Sequence, residues 1–323
     1  MRLRILVLFL SLTPPALAAD ALDIVPPSTR VRGIPGAMTL QPRDCRTLPT
    51  AETRRRIVDV AIQQWSFFGS PVAAPADQGD DNDGPSRLRG SAATAVQAPD
   101  PSTLLGAGDR RGRRPRLPPA EAARVAPFIA GYWAVTAEGS WIVARQNDRW
   151  NGPDGIAARW NAPWSAAFIS WVMCEGGLGA PAQFQRAIAH HTYIDQAIRA
   201  RDGRAPQAAF VAYDAGETTI APGDLLCSSR RPVYRTIAAR RRQMGIGARS
   251  HCDVVVKVDE ARRQVLAIGG NVRGVVSLKP LPASREAGGP LRVDTGDEER
   301  PVFAHLKLRA APIDSNVLDS LWR

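Results

Sequence analysis

A chain of 323 residues, 44% hydrophobic and 23% charged, has the composition of a globular protein with room for one or two domains, and its 27 glycines and 27 prolines point to much loop. The net charge of +11 comes almost wholly from scattered arginines, with Lys257, Lys279 and Lys307 the only lysines, so it argues for attraction to an anionic polymer and against a nucleic-acid partner. No C-x-x-C pair or histidine cluster has metal-ligand spacing, so neither a metal nor a cofactor is expected.

The first residues, MRLRILVLFLSLTPPALAAD, place Arg2 and Arg4 ahead of an apolar run from Ile5 to Leu12 and then Ala16-Leu17-Ala18. That is the layout of a secretory signal peptide over residues 1–19, which predicts a periplasmic or secreted mature protein. No later apolar run is long enough for a transmembrane helix. Residues 20–49 are Pro-rich and weakly patterned, and predict an extended N-terminal arm. The spacing of Ile57, Ala61, Trp65 and Phe68 predicts a helix from Thr50 to a stop at Gly69.

Residues 70–118 carry an acidic cluster and then a basic one, Arg110 to Arg116, with almost no large apolar side chain. Such a segment buries too little surface to offset its ordering entropy and is expected to be a disordered insertion. A second helix is predicted over 119–133 and a third from about Pro163 to Glu175, in the stretch NAPWSAAFISWVMCEGG. There Pro163 suits a first turn, Gly176 and Gly177 suit a stop, and Phe168, Trp171, Val172 and Glu175 share a face. A fourth helix is predicted over 181–203, with Phe184, Ala187, Ile188, His191, Ile194 and Ile198 inward.

Beyond Gly203 the apolar period changes to two. The runs TIAPGDLLCS, HCDVVVKV, QVLAIGG, GVVSLKPL and VFAHLKLRA read as strands, with a hairpin between Val258 and Gln264. Helices followed by strands give an α+β domain over 50–313, an antiparallel sheet packed against N-terminal helices. The tail 314–323, DSNVLDSLWR, is expected to add a helical turn.

Ser165 lies in the first turn of an apolar helix, His251 starts a strand, and Asn271 ends the next one. Hydroxyl, imidazole and carboxamide on consecutive core elements meet the needs of a nucleophile, its general base and the group that orients the base. The alternative at Ser165 is a serine that satisfies its own helix end. Asn271 also suits a left-handed bend after Gly269 and Gly270. Trp164 and Trp171 are expected mainly in the core, with Trp164 alternatively at the edge of a cleft, and either His190 or His191 over Ser165, although His191 also fits the helix core. His305 receives no role. Cys45, Cys174, Cys227 and Cys252 allow three disulfide pairings. Cys227 with Cys252 is preferred, because each sits in a short strand that can neighbour the other. Cys174 lies at the wrong end of its helix for a thiolate and Cys252 points away from His251, so neither is a convincing nucleophile.

The order Ser165, Pro222-Gly223-Asp224, His251, Asn271 resembles the papain-like superfamily of bacterial cell-wall hydrolases, the NlpC and CHAP domains. A nearer resemblance, through WSAAFISWVMCEGG, HHTYID, APGDLLC and HCDVVV…GGNV, is to domain-of-unknown-function family 2272. The resemblance implies a papain-like fold, an envelope location and hydrolysis of peptidoglycan amide bonds, or a binding or scaffold protein that keeps the groove without turnover. It also exposes two departures. Ser165 stands where the hydrolases have Cys, so the hydroxyl would depend on a general base, and Gly269 stands where CHAP domains often have a second catalytic acid.

Overall fold

The computed structural model describes residues 24–73, 118–286, 288–294 and 300–313. The signal-peptide segment 1–19, most of the 70–118 insertion and the tail 314–323 lie outside the described residues.

Alternating apolar residues in the second half of the chain build a seven-stranded sheet. Its strands are β3 (Phe210–Tyr213), β4 (Leu225–Arg231), β5 (Arg249–Asp259), β6 (Gln264–Val272), β7 (Val275–Ser284), β8 (Arg292–Val293) and β9 (Val302–Leu308), in spatial order β3-β9-β4-β5-β6-β7-β8. Every paired neighbour is antiparallel, and β4 to β7 form a meander. Period two divides the strands between two cores. Leu225, Cys227, Cys252, Val254, Val256 and Ile268 join the helices, whereas Leu226, Val255, Val265, Ala267 and Leu281 pack with Leu291 and Val293.

The helices are α1 (Thr53–Phe67), α2 (Pro119–Trp133), α3 (Gly139–Trp150), α4 (Ser165–Glu175), α5 (His190–Arg201) and the short α6 (Ile237–Arg241). With the antiparallel sheet they make the expected α+β architecture. All eleven residues of α4 are buried, as a helix apolar on every side requires. It packs against α1, α2, β5 and β6. The sequence reading had no element for α3, β3, α6 or β8, and its fourth helix was too long. Ala189 is extended, so α5 begins only at His190, and Phe184 reaches the core from the preceding turn.

The arm predicted to be extended is instead docked. A 3-10 turn at Pro27–Arg30 leads into a two-stranded ribbon, β1 (Val31–Arg32) with β2 (Thr39–Leu40). Arg30 is 2% exposed and pairs with Glu175 at 2.9 Å, at the C-terminus of α4, where a cation complements the helix dipole. A disulfide between Cys45 and Cys174 fastens the arm to the same helix end. The Pro222-Gly223-Asp224 turn is fixed comparably: Asp224 accepts from Arg54 (3.0 Å), His305 Nε2 (2.8 Å) and the Leu308 backbone (3.0 Å). His305 is thus a partner of that buried carboxylate.

Candidate functional site

Ser165 opens α4 behind Trp164, and the first-turn N–H groups at Ala166 and Ala167 lack earlier helical carbonyls to bond. Its Oγ lies 2.7 Å from Nε2 of His190, the first residue of α5. One turn along α5, the Tyr193 hydroxyl hydrogen-bonds His190 Nδ1. Positions three apart share a helix face, so the spacing His190-x-x-Tyr193 brings phenol and imidazole together. In the tautomer protonated at Nδ1, the ring donates to the Tyr193 oxygen and accepts the Ser165 proton at Nε2.

A second polar set touches the first. The His190 and His251 rings are 5.3 Å apart between centroids. His251 Nε2 lies 3.0 Å from Asp253 Oδ1, and Lys279 Nζ lies 2.9 Å from both Asp253 oxygens. A carboxylate only accepts, so His251 carries its proton on Nε2. Residues 251 and 253 are i and i+2 on a strand and so point the same way. Asp253 therefore orients His251. Gly269 provides the room: a Cβ there would meet Asp253 Oδ1 at 1.9 Å and His251 Nε2 at 2.9 Å.

Burial dominates the electrostatics. It lowers the pKa of His251 to about 4, with the Lys279 charge adding to the effect and Asp253 opposing it. Burial also holds His190 well below the usual imidazole range, reinforced by His251 and Arg230 and opposed by Asp253. Burial raises the Tyr193 phenol well above its ordinary range. Burial alone would raise Asp253, but Lys279 and His251 outweigh it and hold the carboxyl well below the normal range. Near neutral pH the site thus contains two neutral imidazoles, a phenol, and a carboxylate paired with a buried ammonium.

The residues singled out from sequence fall into place unevenly. The imidazole within reach of Ser165 is that of His190, not His251, and among the described residues no hydrogen bond joins Ser165 to His251. The group on His251 is Asp253, not Asn271. Asn271 has φ +58° and lies within β6, one residue before its end, 5% exposed. His191 turns to the Ala248 carbonyl, 3.3 Å from its Nδ1. Trp164 is 1% exposed, stacked on Phe68 and Tyr132, and still forms a wall of a neighbouring cleft. Cys227 and Cys252 are bonded to each other across β4 and β5. Tyr193, Asp253 and Lys279 were not anticipated, although His-x-Asp in a strand and His-x-x-Tyr in a helix are readable spacings. Among the described residues no cluster of His, Cys, Asp or Glu could hold a metal ion, and no helix is long and apolar enough to cross a membrane.

A family model described as "Uncharacterized protein conserved in bacteria (DUF2272)" matches residues 123–308. Searches of curated proteins and of solved structures gave no match.

Proposed function

The chain belongs to the DUF2272 family of bacterial proteins, and from that premise we propose that it is an exported cell-envelope hydrolase of papain-like, NlpC/CHAP type that cleaves amide bonds of peptidoglycan peptides. The observation that carries this reading is the 2.7 Å contact of Ser165 Oγ with His190 Nε2, with Tyr193 on the other ring nitrogen. Ser165 attacks the carbonyl while His190 takes its proton and returns it to the leaving amine. The N–H groups of the first turn of α4 face the developing oxyanion. An alcohol gains only about 0.3–1 kcal/mol from a helix dipole, so the neutral imidazole is indispensable. Imidazolium formed at His190 would be buried, and the Asp253 carboxylate favours it. Two disulfides suit an oxidising compartment outside the cytoplasm.

Incubating the mature protein with purified peptidoglycan tests this. New amino termini should appear with wild type and not with Ser165→Ala or His190→Ala; no release by wild type removes the assignment. A second reading, a binding or scaffold protein that keeps the groove without turnover, is favoured by one feature: Ser165 is only 8% and His190 only 4% exposed. Under that reading wild type and Ser165→Ala sediment equally with peptidoglycan and neither releases amines.

A further inference from the structure

The ribbon of β1 and β2 lies along α3. Asn147 accepts from the Met38 backbone at 3.2 Å and donates to its carbonyl at 2.7 Å, and one turn on Asn151 donates to the Gly36 carbonyl at 2.9 Å. The tip of the ribbon, where Ile34 is 74% exposed, therefore stands at the C-terminal end of α3. Near the other end of the helix Trp141 is 54% exposed, the only exposed tryptophan among the described residues. Arg145 and Arg149 follow it at i+4 and i+8, so the three share one side of the helix, and the Arg145 guanidinium lies 4.9 Å from the centre of the Trp141 ring. Arg149 bonds the Asn161 amide oxygen at 3.2 Å, and among the described residues no carboxylate pairs with Arg149, Arg145 or Arg32, which is exposed on β1. Asp148 lies on the same side of α3, and the three arginines outnumber it. An indole held out of the core beside guanidinium groups without counter-charges has the composition of a membrane-surface anchor, in which tryptophan sits at headgroup level and arginine meets lipid phosphate.

We propose that this face, Trp141, Arg145 and Arg149 on α3 with Arg32 and Ile34 on the ribbon, docks the protein on an anionic phospholipid surface. The indole and the isoleucine enter the headgroup region, and the guanidinium groups pair with lipid phosphates. Charge decides for lipid over an apolar protein partner, which would desolvate three arginines without supplying a counter-charge. An anionic leaflet supplies one to each. The inference is independent of the hydrolase reading and stands whether or not peptidoglycan is cleaved.

Co-sedimentation of the mature protein with vesicles tests it, one set made of phosphatidylglycerol and phosphatidylethanolamine and the other of phosphatidylcholine. Wild type should bind the first set and not the second, and salt at about 0.5 M should release it. Trp141→Ala should weaken binding at least about tenfold, and Arg145→Gln about fivefold, the loss of one cation at such a surface. Both side chains are exposed, so the fold should persist, which urea denaturation verifies. Arg242→Gln removes the same charge at the end of α6, where Arg242 is exposed, and should bind within about twofold of wild type. The inference is overturned by no binding to the anionic vesicles, by equal binding to phosphatidylcholine, or by binding that Trp141→Ala or Arg145→Gln leaves unchanged. Equal losses in Arg145→Gln and Arg242→Gln also overturn it, because net charge alone would then account for the attraction. Sedimentation with peptidoglycan that needs Trp141, without vesicle binding, would give the face to a polysaccharide. A dimer in light scattering that Trp141→Ala dissolves, again without vesicle binding, would give it to a second copy of the chain.

Discussion

Asp253 fills the space that a side chain on Gly269 would need: a Cβ at position 269 would stand 1.9 Å from Asp253 Oδ1. The two residues belong to adjacent strands, and the absence of one side chain makes room for the carboxylate of the other. Gly269→Ala should therefore expel the carboxylate from His251 and Lys279. The expected loss is about 3 kcal/mol, the lower end of the cost of breaking a buried ion pair. Urea denaturation measures it, and an unchanged midpoint would mean that the strands separate without strain.

Acidification should weaken the fold well above the range in which Asp253 titrates. His251 has a folded pKa of about 4 against 6.5 for the free side chain, and His190 is shifted in the same direction. Between those values the unfolded chain binds more protons than the folded one. Stability is therefore complete above about pH 6.5 and falls as the pH drops toward 4. The contribution of His251 is on the order of 3 kcal/mol. The contribution of Asp253 is present above the ordinary carboxyl range and is lost only at lower pH. Denaturation at pH 7 and pH 4.5 tests this, and His251→Gln should flatten the profile.

The two imidazoles separate in turnover if peptidoglycan is the substrate. His190→Ala should match Ser165→Ala, a loss of at least about 100-fold, because among the described residues His190 alone hydrogen-bonds Oγ. Tyr193→Phe should cost about tenfold, since it removes one hydrogen bond to the base. Equal losses at His190 and His251, with Tyr193→Phe silent, would return the role of base to His251.

Periodicity made α1, α2, α4, the strands from β4 to β7 and β9 legible, because their apolar residues recur at the spacing each element buries. It failed where tertiary contacts decide. Arg30 in the arm has no apolar pattern, and its burial follows from Glu175, 145 positions away. Segment 181–189 has helical spacing, yet the extended Ala189 interrupts it. At the site, Ser165 and a nearby histidine were legible from helix position. The choice of His190 over His251 was not, because it depends on how α5 approaches α4. The pair His251 and Asp253 was written in the strand period and overlooked in favour of Asn271.

The Cys45–Cys174 disulfide spans 129 residues and fastens the arm to the end of α4. Closing a loop of that length restricts the unfolded chain by about 4–5 kcal/mol in the chain-entropy account. The double variant Cys45→Ser, Cys174→Ser should lose most of that stability. It should also expose the arm to protease near Arg43, whereas Arg30→Met should loosen the arm with the disulfide intact. Equal protease resistance in all three proteins would show that other contacts hold the arm.

Lys279 is fully buried and paired with Asp253, so replacing it probes the electrostatics of the second set. In Lys279→Met the carboxylate stays buried with His251 alone, and stability should fall by about 3–5 kcal/mol. The ammonium is one of the charges that lower His251, so the midpoint of that ring, followed by NMR of its carbon-bound protons, should rise from about 4. Adding Asp253→Leu removes the orphaned charge, and most of the stability should return, because a buried pair replaced by apolar groups is often neutral or better. The coupling read from this cycle separates the electrostatic role from packing. Were the double variant as unstable as Lys279→Met, the lysine would be holding the sheet by its packing, and its charge would not account for the depressed His251.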